Sequence, residues 1–373
     1  MELKMFEVFV TVIKLLIIFL MMVNAVPFLV WLERRGSAFI QNRFGPNRVG
    51  PFGLVQTMAD AIKFAFKEEF VPVGAKKFFF YAAPVVSLIP AALAMGALPL
   101  SVPIELETFS ISMQGYEFGA GLIIVLGVSS LSAYSLLLAG WSSGNKFSLM
   151  GSLRAGAQMI SYELGLGLSL VGILMLYGTF NFNEMIEIQK GAFEFNYFGK
   201  LISVPYLPNW GIFYQPLGAL LFLVCLFAES NRLPFDLPEA EAELVAGYHT
   251  EYGGLKMLMF YIGEYGHMIV GASLTTIIFF GGYDLVLFDE ATLKEFFLSR
   301  DFEAVQASII VSLIFLLSFL FKAAVLLWVF IWVRWTLPRF RYDQLMDLGW
   351  KKILPWGIFN TVVTAAVILV ANY

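Results

Sequence analysis

Residues 6–31 read FEVFVTVIKLLIIFLMMVNAVPFLVW, an apolar run that few polar side chains interrupt. About 20 apolar residues are enough for a helix to cross the hydrocarbon core of a bilayer, so this stretch predicts a membrane-spanning helix. Its beginning, with Lys4 and small residues at 23–25, faintly resembles a secretory signal peptide. The run continues through Pro27 to Trp31, and that length favours a retained transmembrane helix.

The whole chain has the composition of a membrane protein. Its 373 residues are 59% hydrophobic and 14% charged, with 38 Phe, and the mean hydropathy is +0.77. So few charged side chains cannot cover this much apolar surface in water, and the bilayer must therefore be the solvent for most of the chain. We expect an all-α, polytopic membrane protein that forms a single integral membrane domain over residues 1–373. About eight spans are predicted, near residues 6–31, 78–100, 118–140, 153–178, 211–230, 254–282, 306–333 and 353–371.

The segment PFGLVQTMADAIKFAFKEEF, at residues 51–70, has a different pattern. Its polar residues Gln56, Asp60, Lys63 and Lys67 recur at helical spacing, and apolar residues take the other side. This pattern predicts an amphipathic helix that lies in the membrane interface rather than crossing it. Pro51 suits the first position of such a helix.

The distribution of Lys and Arg predicts the orientation. Most of these residues fall in alternate loops, beginning with the segment after the first span. Cytoplasmic loops carry the excess of positive charge, so we expect these loops in the cytoplasm and both termini outside. The loops on the other side carry only Lys4, Lys190, Lys200, Lys294 and Arg300.

Cysteine and histidine usage limits the chemistry of the chain. Cys225 is the single cysteine, so this chain alone cannot build a disulfide, a Cys-ligated zinc site or an iron–sulfur cluster. The two histidines, His249 and His267, are enough for one haem at most. The net charge of −4, without a basic patch, excludes the pattern of a nucleic-acid-binding protein. We expect no metal site, and redox centres only on partners.

Three glutamates fall inside or at the end of predicted spans. Glu163 and Glu264 each lie about ten residues into a span, and His267 follows Glu264 on the same helix face. Glu229 closes the fifth span at its cytoplasmic end. A charge at such depth costs roughly 2.5–3.5 kcal/mol, so it needs a reason. Structural pairing is one reason, but two acids at matching depth favour a path for protons.

The segment PFDLPEAEAELVAG, at residues 234–247, concentrates acids on the cytoplasmic side. One interpretation is a solvated acidic cap. The many apolar residues between the acids favour a folded surface that a partner covers. The acids are Asp236, Glu239, Glu241 and Glu243.

The segment WLERRGSAFIQNRFGPNRVGPFG, at residues 31–53, places arginines before the amphipathic helix. Its glycines and prolines predict a fixed irregular turn. Arginines at a membrane surface are usually topology anchors, and a rigid lateral doorway for an amphiphile is the second interpretation.

Three stretches together resemble one family closely: the H subunit of the proton-pumping NADH:quinone oxidoreductase, respiratory complex I. They are ERRGSAFIQNRFGPNRVGPFGLVQTMADAIKFAFKEE (33–69), AESNRLPFDLPEAEAELVAGYHTEY (228–252) with GEY (263–265), and WVRWTLPRFRYDQLMDLGWK (332–351). The order of these stretches and the predicted spans agree with the family over nearly the whole chain.

The resemblance implies a site and a function. It implies that residues 33–70 form much of the access tunnel for a lipid quinone, which is the substrate. It implies that the cytoplasmic loop at 229–253 contacts partner subunits of the hydrophilic arm, and that buried glutamates couple quinone reduction to proton translocation toward small and antiporter-like membrane subunits. FMN and iron–sulfur clusters would sit only on partners, and the location would be the bacterial inner (plasma) membrane. The residues implied are Arg34, Arg35, Arg43, Phe52, Gln56, Asp60 and Lys63 for the tunnel, Arg232, Asp236, Glu239, Glu241 and Glu243 for the loop, and Glu163, Glu229 and Glu264 for coupling.

Two other functions fit parts of the pattern. The same fold serves in membrane-bound hydrogenases and in ferredoxin- or F420H2-linked ion-pumping complexes, but the arginine-rich doorway and the dense acidic loop favour a quinone enzyme. A stand-alone ion transporter would need paired inverted halves with broken helices, and no such pair is clear in the sequence.

Overall fold

A computed structural model describes residues 2–106, 110–197, 200–236, 246–286 and 288–371. These residues are mostly helical, with two short antiparallel hairpins between helices. The helices are α1 (Glu2–Ile40), α2 (Gln56–Ala65), α3 (Lys77–Gly96), α4 (Gly121–Ser129), α5 (Leu131–Ser142), α6 (Lys146–Tyr177), α7 (Phe182–Ile188), α8 (Gly211–Tyr214), α9 (Pro216–Glu229), α10 (Gly254–Phe279), α11 (Glu290–Leu298), α12 (Ala304–Thr336), α13 (Tyr342–Asp347) and α14 (Leu354–Ala371). The hairpins pair β1 (Ile104–Glu105) with β2 (Ser110–Ile111) and β3 (Ala192–Tyr197) with β4 (Lys200–Pro208).

The helices confirm an all-α, polytopic membrane protein. Six helical stretches among the described residues are long and apolar enough to cross a bilayer. The other two predicted spans correspond to α9, which is short, and to α10, which has 26 residues and is buried against other helices along most of its length. The six stretches are Val8–Ile40, Lys77–Gly96, Gly121–Ser142, Lys146–Tyr177, Ala304–Thr336 and Tyr342–Val370.

The first helix is longer than its apolar run. α1 continues nine residues past Trp31 to Ile40, so Arg34 and Arg35 lie on its last turns rather than in an irregular turn. The turn itself is confined to residues 41–55, where Gly50 and Gly53 adopt positive φ angles of 71° and 74°. The amphipathic helix begins with a 3₁₀ turn at Pro51–Gly53 and becomes α-helical at Gln56, five residues after the predicted beginning.

The fifth predicted span is interrupted near its N-terminal end. Gln215 leaves the helical conformation and Pro216 begins α9, which has 14 residues and a length of about 21 Å. The hydrocarbon core is about 30 Å thick, so α9 cannot cross it alone. One end of this helix must therefore lie within the core, and its last residue is Glu229.

Helix α10 occupies the centre of the bundle. Its glycines allow close contact with α3: a Cβ at Gly263 would lie 2.4 Å from Ser87 Oγ, and one at Gly266 would lie 3.0 Å from the Ala91 methyl group. Small residues at such crossings bring helix backbones together in membranes. The polar side chains of α10 are therefore held against neighbouring helices in fixed positions.

Candidate functional site

An ion pair joins the C-terminal end of α1 to the amphipathic helix. Arg34 Nη1 contacts Asp60 Oδ2, and Gln56 Nε2 donates a 3.2 Å hydrogen bond to the other carboxylate oxygen. The Arg34 side chain is 45% exposed, so this pair faces the surroundings rather than the core. Three of the residues predicted for the quinone tunnel therefore lie together in one small polar cluster.

A second arginine fixes the turn that precedes α2. The Arg35 guanidinium lies 5.5 Å from the Trp31 ring centroid and 5.2 Å from that of Phe52, which is the range of a cation–π contact. Trp31 Nε1 donates a 3.1 Å hydrogen bond to the Phe52 carbonyl. Phe52 itself has a positive φ of 55°, which is unusual for an aromatic residue. These contacts hold the backbone of the turn against α1.

The two remaining tunnel candidates lie at the surface. Arg43 Nε donates a 2.7 Å hydrogen bond to Gln41 Oε1, and both side chains are exposed. Lys63 is exposed on α2. The Phe64 ring, one residue further, lies 6.5 Å from the Tyr261 ring of α10. The amphipathic helix therefore contacts both α1 and α10, and its basic side chain faces outward.

The beginning of the acidic loop is anchored in the protein. Gln158 of α6 donates to the carbonyls of Ala228 and Phe235, each at 2.9 Å. Asp236 is 6% exposed and pairs with Arg339 at 3.3 Å. Glu239, Glu241 and Glu243 lie outside the described residues, because the structure is described only up to 236 and again from 246.

Glu33 is the centre of a buried ion cluster that joins four parts of the chain. Its carboxylate contacts Arg334 Nη1 of α12, lies 3.6 Å from Arg232 Nη1, and accepts a 2.7 Å hydrogen bond from Tyr265 Oη of α10. The Arg232 guanidinium also lies 3.9 Å from the centroid of the Tyr265 ring. Glu33 and Arg232 are each 7% exposed, so the electrostatic attraction in this cluster is only weakly screened by solvent.

Not every N–H group of the Arg232 guanidinium donates a hydrogen bond to the described part of the chain. Its Nε and Nη2 groups are buried and have no hydrogen-bond partner among residues that the structure describes. Buried donors of a charged group are costly to leave unpaired. They lie five residues before the undescribed acidic segment at 237–245.

Two of the predicted coupling glutamates accept hydrogen bonds from hydroxyl groups. Glu163 of α6 accepts one from Ser130, which stands between α4 and α5. Glu264 of α10 accepts a 2.6 Å hydrogen bond from Tyr248 Oη. Each carboxylate therefore has one polar partner from another part of the fold.

The third coupling glutamate lies between the other two. Glu229, at the end of α9, is close enough to Glu163 to interact with it electrostatically. It also lines a small cavity that Glu264 and His267 line from α10. The predicted shared face of Glu264 and His267 is thus directed toward Glu229. Within the described ranges, no three His, Cys, Asp or Glu side chains cluster closely enough to hold a metal ion.

Comparison with known proteins shows the family of the chain. A family model described as NADH dehydrogenase matches residues 13–365. The chain is 59% identical to the H subunit of NADH-quinone oxidoreductase from Bdellovibrio bacteriovorus, over 98% of both chains. The chain belongs to the family of NADH-quinone oxidoreductase H subunits. It is 41% identical to an H subunit from Koribacter versatilis, over 95% of this chain and 96% of that one, and 42% identical to NADH-quinone oxidoreductase subunit 8 from Rhodothermus marinus, over 90% and 91%.

Membership in the H-subunit family explains the composition. The chain is a membrane subunit of a bacterial NADH-quinone oxidoreductase, so other subunits of that complex are its partners.

Sequence reasoning missed several residues of this site. Glu33 was visible as the acid that ends the first apolar run, but its three partners come from distant parts of the chain, up to 301 positions away. Tyr265 and Tyr248 have no charge to attract attention in an aromatic-rich sequence. Ser130 resembles any small residue in a membrane helix.

Proposed function

We propose that this protein forms the access path of a lipid quinone and couples quinone reduction to proton translocation through Glu163, Glu229 and Glu264. The observation that carries the proposal is a series of charged groups between α2 and the buried glutamates. Arg34, which pairs with Asp60 of α2, and Glu33 are successive residues at the end of α1. Arg232 of the Glu33 cluster is close enough to Glu264 to interact with it electrostatically. A change of charge at one end therefore acts on the other through electrostatic interaction.

The access path begins at the amphipathic helix. The apolar side chains of α2 and of the turn before it, such as Met58, Ile62 and Phe52, are exposed, as they would be against lipid or an isoprenoid tail. The Arg34–Asp60 pair and Gln56 stand beside them and offer hydrogen bonds to a polar headgroup. Arg35, Arg43 and Lys63 add positive charge around this entrance.

The coupling step uses the Glu33 cluster. In this proposal, reduction of the quinone by partner subunits, which hold FMN and iron–sulfur clusters, changes the charge near the end of α1. Glu33 shares its carboxylate between Arg334, Arg232 and Tyr265, so a change in that balance alters the hydrogen bond to Tyr265. Tyr265 moves with α10, which also carries Glu264. The change in charge thereby reaches the glutamates.

The partners and the orientation follow from the same arrangement. We place the acidic loop, with Arg232, Asp236, Glu239, Glu241 and Glu243, on the cytoplasmic side against the hydrophilic-arm subunits. The anchored residue Asp236 and the unused donors of Arg232 provide a fixed base for that contact. The glutamates would pass protons toward small and antiporter-like membrane subunits in the bacterial inner membrane, with both termini of this chain outside.

The test is neutralisation of single glutamates in the assembled complex. Glu264→Gln and Glu163→Gln keep size and hydrogen bonding but cannot ionise. In proteoliposomes, we expect each variant to translocate several-fold fewer protons per NADH oxidised, while the complex still assembles. Glu295→Gln is the matched control, since Glu295 is exposed on α11 outside the site. Proton translocation at the control level in both variants would disprove the coupling role.

A further inference from the structure

His267 has a buried ring nitrogen without a partner. Its Nε2 atom is inaccessible to solvent and makes no hydrogen bond with any residue that the structure describes. A buried polar atom left without a hydrogen bond costs about 1–3 kcal/mol. A histidine that served only packing would have its nitrogens bonded to backbone or side chains, so this imidazole calls for a partner of another kind.

Two small cavities meet at His267. Each has a volume of about 20 Å³, and each is lined by Glu229, Ser230 and His267. The first extends toward Ser129 of α4 and Phe330 of α12. The second extends toward Glu264. His267 therefore stands between two spaces that both touch Glu229, and one of them also reaches Glu264.

The size and the lining of these cavities suit single water molecules. A cavity needs about 10–15 Å³ for one water, and that water needs two to four polar partners. The second cavity supplies more polar partners than one water needs. An apolar cavity of this size would stay dry. Its polar lining consists of Ser87, Ser132, Ser135, Glu229, Ser230, Asn231, Glu264 and His267.

A second unpaired atom lines the same space. Ser132 Oγ is buried and has no hydrogen-bond partner in the described part of the chain, as is true of His267 Nε2. Two unpaired polar atoms at one water-sized cavity, on different helices, are the expected sign of a hydrogen-bonding guest. Ser132 lies on α5 and His267 lies on α10. These two unpaired atoms indicate a bound water without any argument from the glutamates.

We propose that each cavity holds one water and that His267 passes protons between these waters, so that it links Glu229 to Glu264. The proposal rests on the proposed function and adds a residue to it. A glutamic acid releases a proton to the adjacent water, and the unprotonated ring nitrogen of His267 takes a proton from that water. The other nitrogen then releases its proton to the second water. That water passes a proton to the second glutamate, which is ionised and accepts it. One proton moves, and the imidazole returns to neutrality in its other tautomer.

The sequence spacing agrees with this role. His267 follows Glu264 by three positions, so both side chains leave α10 on one face. Glu229, the last residue of α9, lines the second cavity together with that face. Without the imidazole, the side chains between the two carboxyl groups would be only serines and Asn231, and neither an alcohol nor an amide holds a transferred proton near neutral pH.

The test replaces the imidazole in the assembled complex and measures proton translocation in proteoliposomes. His267→Leu removes both nitrogens, and His267→Asn keeps a polar side chain that does not titrate. We expect both to lower the protons translocated per NADH oxidised by roughly tenfold or more, because positioned proton carriers contribute at least that factor. NADH:quinone reduction in the presence of a protonophore should stay within about twofold of the wild type. Thr276→Val is the matched control: its hydroxyl donates only within α10, to Ala272 O, and lines neither cavity.

The outcomes separate this proposal from the one on which it rests. Loss of coupling in Glu264→Gln together with normal coupling in both His267 variants would overturn the role of His267 alone. Normal coupling in both Glu264→Gln and Glu163→Gln would overturn the proposed function. If His267→Leu does not assemble, His267→Asn decides. Ser132→Ala supplies a further check, since loss of a partner for the second water should lower coupling, and unchanged coupling there would contradict the water site.

Discussion

Replacement of Glu33 by Gln is expected to be among the most destabilising changes in this chain. The carboxylate is 7% exposed and faces two guanidinium groups, of which Arg232 is also 7% exposed. Removal of one partner from a buried ion pair costs about 3–5 kcal/mol, because the remaining charge is left uncompensated. The Arg334 side chain is 26% exposed and can reach some solvent, so we expect the lower end, about 3 kcal/mol.

The assay compares the temperatures at which half of the assembled complex dissociates in detergent. Asp347→Asn is the control, since the Asp347–Lys351 pair has side chains 61% and 71% exposed and should contribute less than about 0.5 kcal/mol. The double variant Glu33→Gln/Arg334→Gln should be less destabilised than the sum of its single variants, since it leaves one uncompensated guanidinium instead of two. Equal dissociation temperatures for Glu33→Gln and Asp347→Asn would refute the reasoning.

Three further predictions concern the proposed quinone entrance and the carboxyl group of Asp284. Arg34→Gln should raise the KM for quinone several-fold, and an unchanged KM would contradict the entrance role. The free energy of unfolding should change by less than about 1 kcal/mol, since the Arg34–Asp60 pair is half exposed. Gly53→Ala should raise the same KM, because the φ of 74° disfavours a side chain and the new Cβ would lie 2.3 Å from Pro46 O. A KM equal to that of the wild type would show that this turn does not shape the entrance. Burial raises the pKa of the Asp284 carboxyl to about 6, so the folded chain binds the extra proton and stability should fall as pH rises from about 4 to 6. Asp284→Asn should lose that part of the pH dependence and dissociate at a higher temperature at pH 7, whereas a pH profile identical to the wild type would contradict it.

The fold class followed from hydropathy because the bilayer imposes one rule on every span. Apolar runs of sufficient length located the long helices, and each of these overlaps a predicted span. The boundaries were less accurate, and two of them show why. The polar end of α1 stays helical to Ile40, because Glu33 pairs with other helices instead of ending the helix. The run at 211–230 contains Pro216, which begins α9 and so shortens the helix.

The site was predictable only where residues share one element. The spacing of Glu264 and His267 predicted a common face, because helical periodicity fixes it. The position of Glu229 beside both Glu163 and the α10 face depends on how three helices pack, which periodicity does not contain. The Glu33 cluster likewise assembles residues from four separate parts of the chain. Hydrogen bonds from Tyr and Ser to buried acids have no sequence pattern of their own.

The measurement that tests the central claim most directly is an infrared difference spectrum of the assembled complex before and after quinone reduction. A buried glutamate that gains or loses a proton changes its carboxyl carbonyl band, which is separate from the amide bands of the backbone. If quinone reduction drives protons through the buried acids, the wild type should show such a band and Glu229→Gln should lose it. The same carboxyl band in Glu229→Gln, Glu163→Gln and Glu264→Gln would contradict the claim.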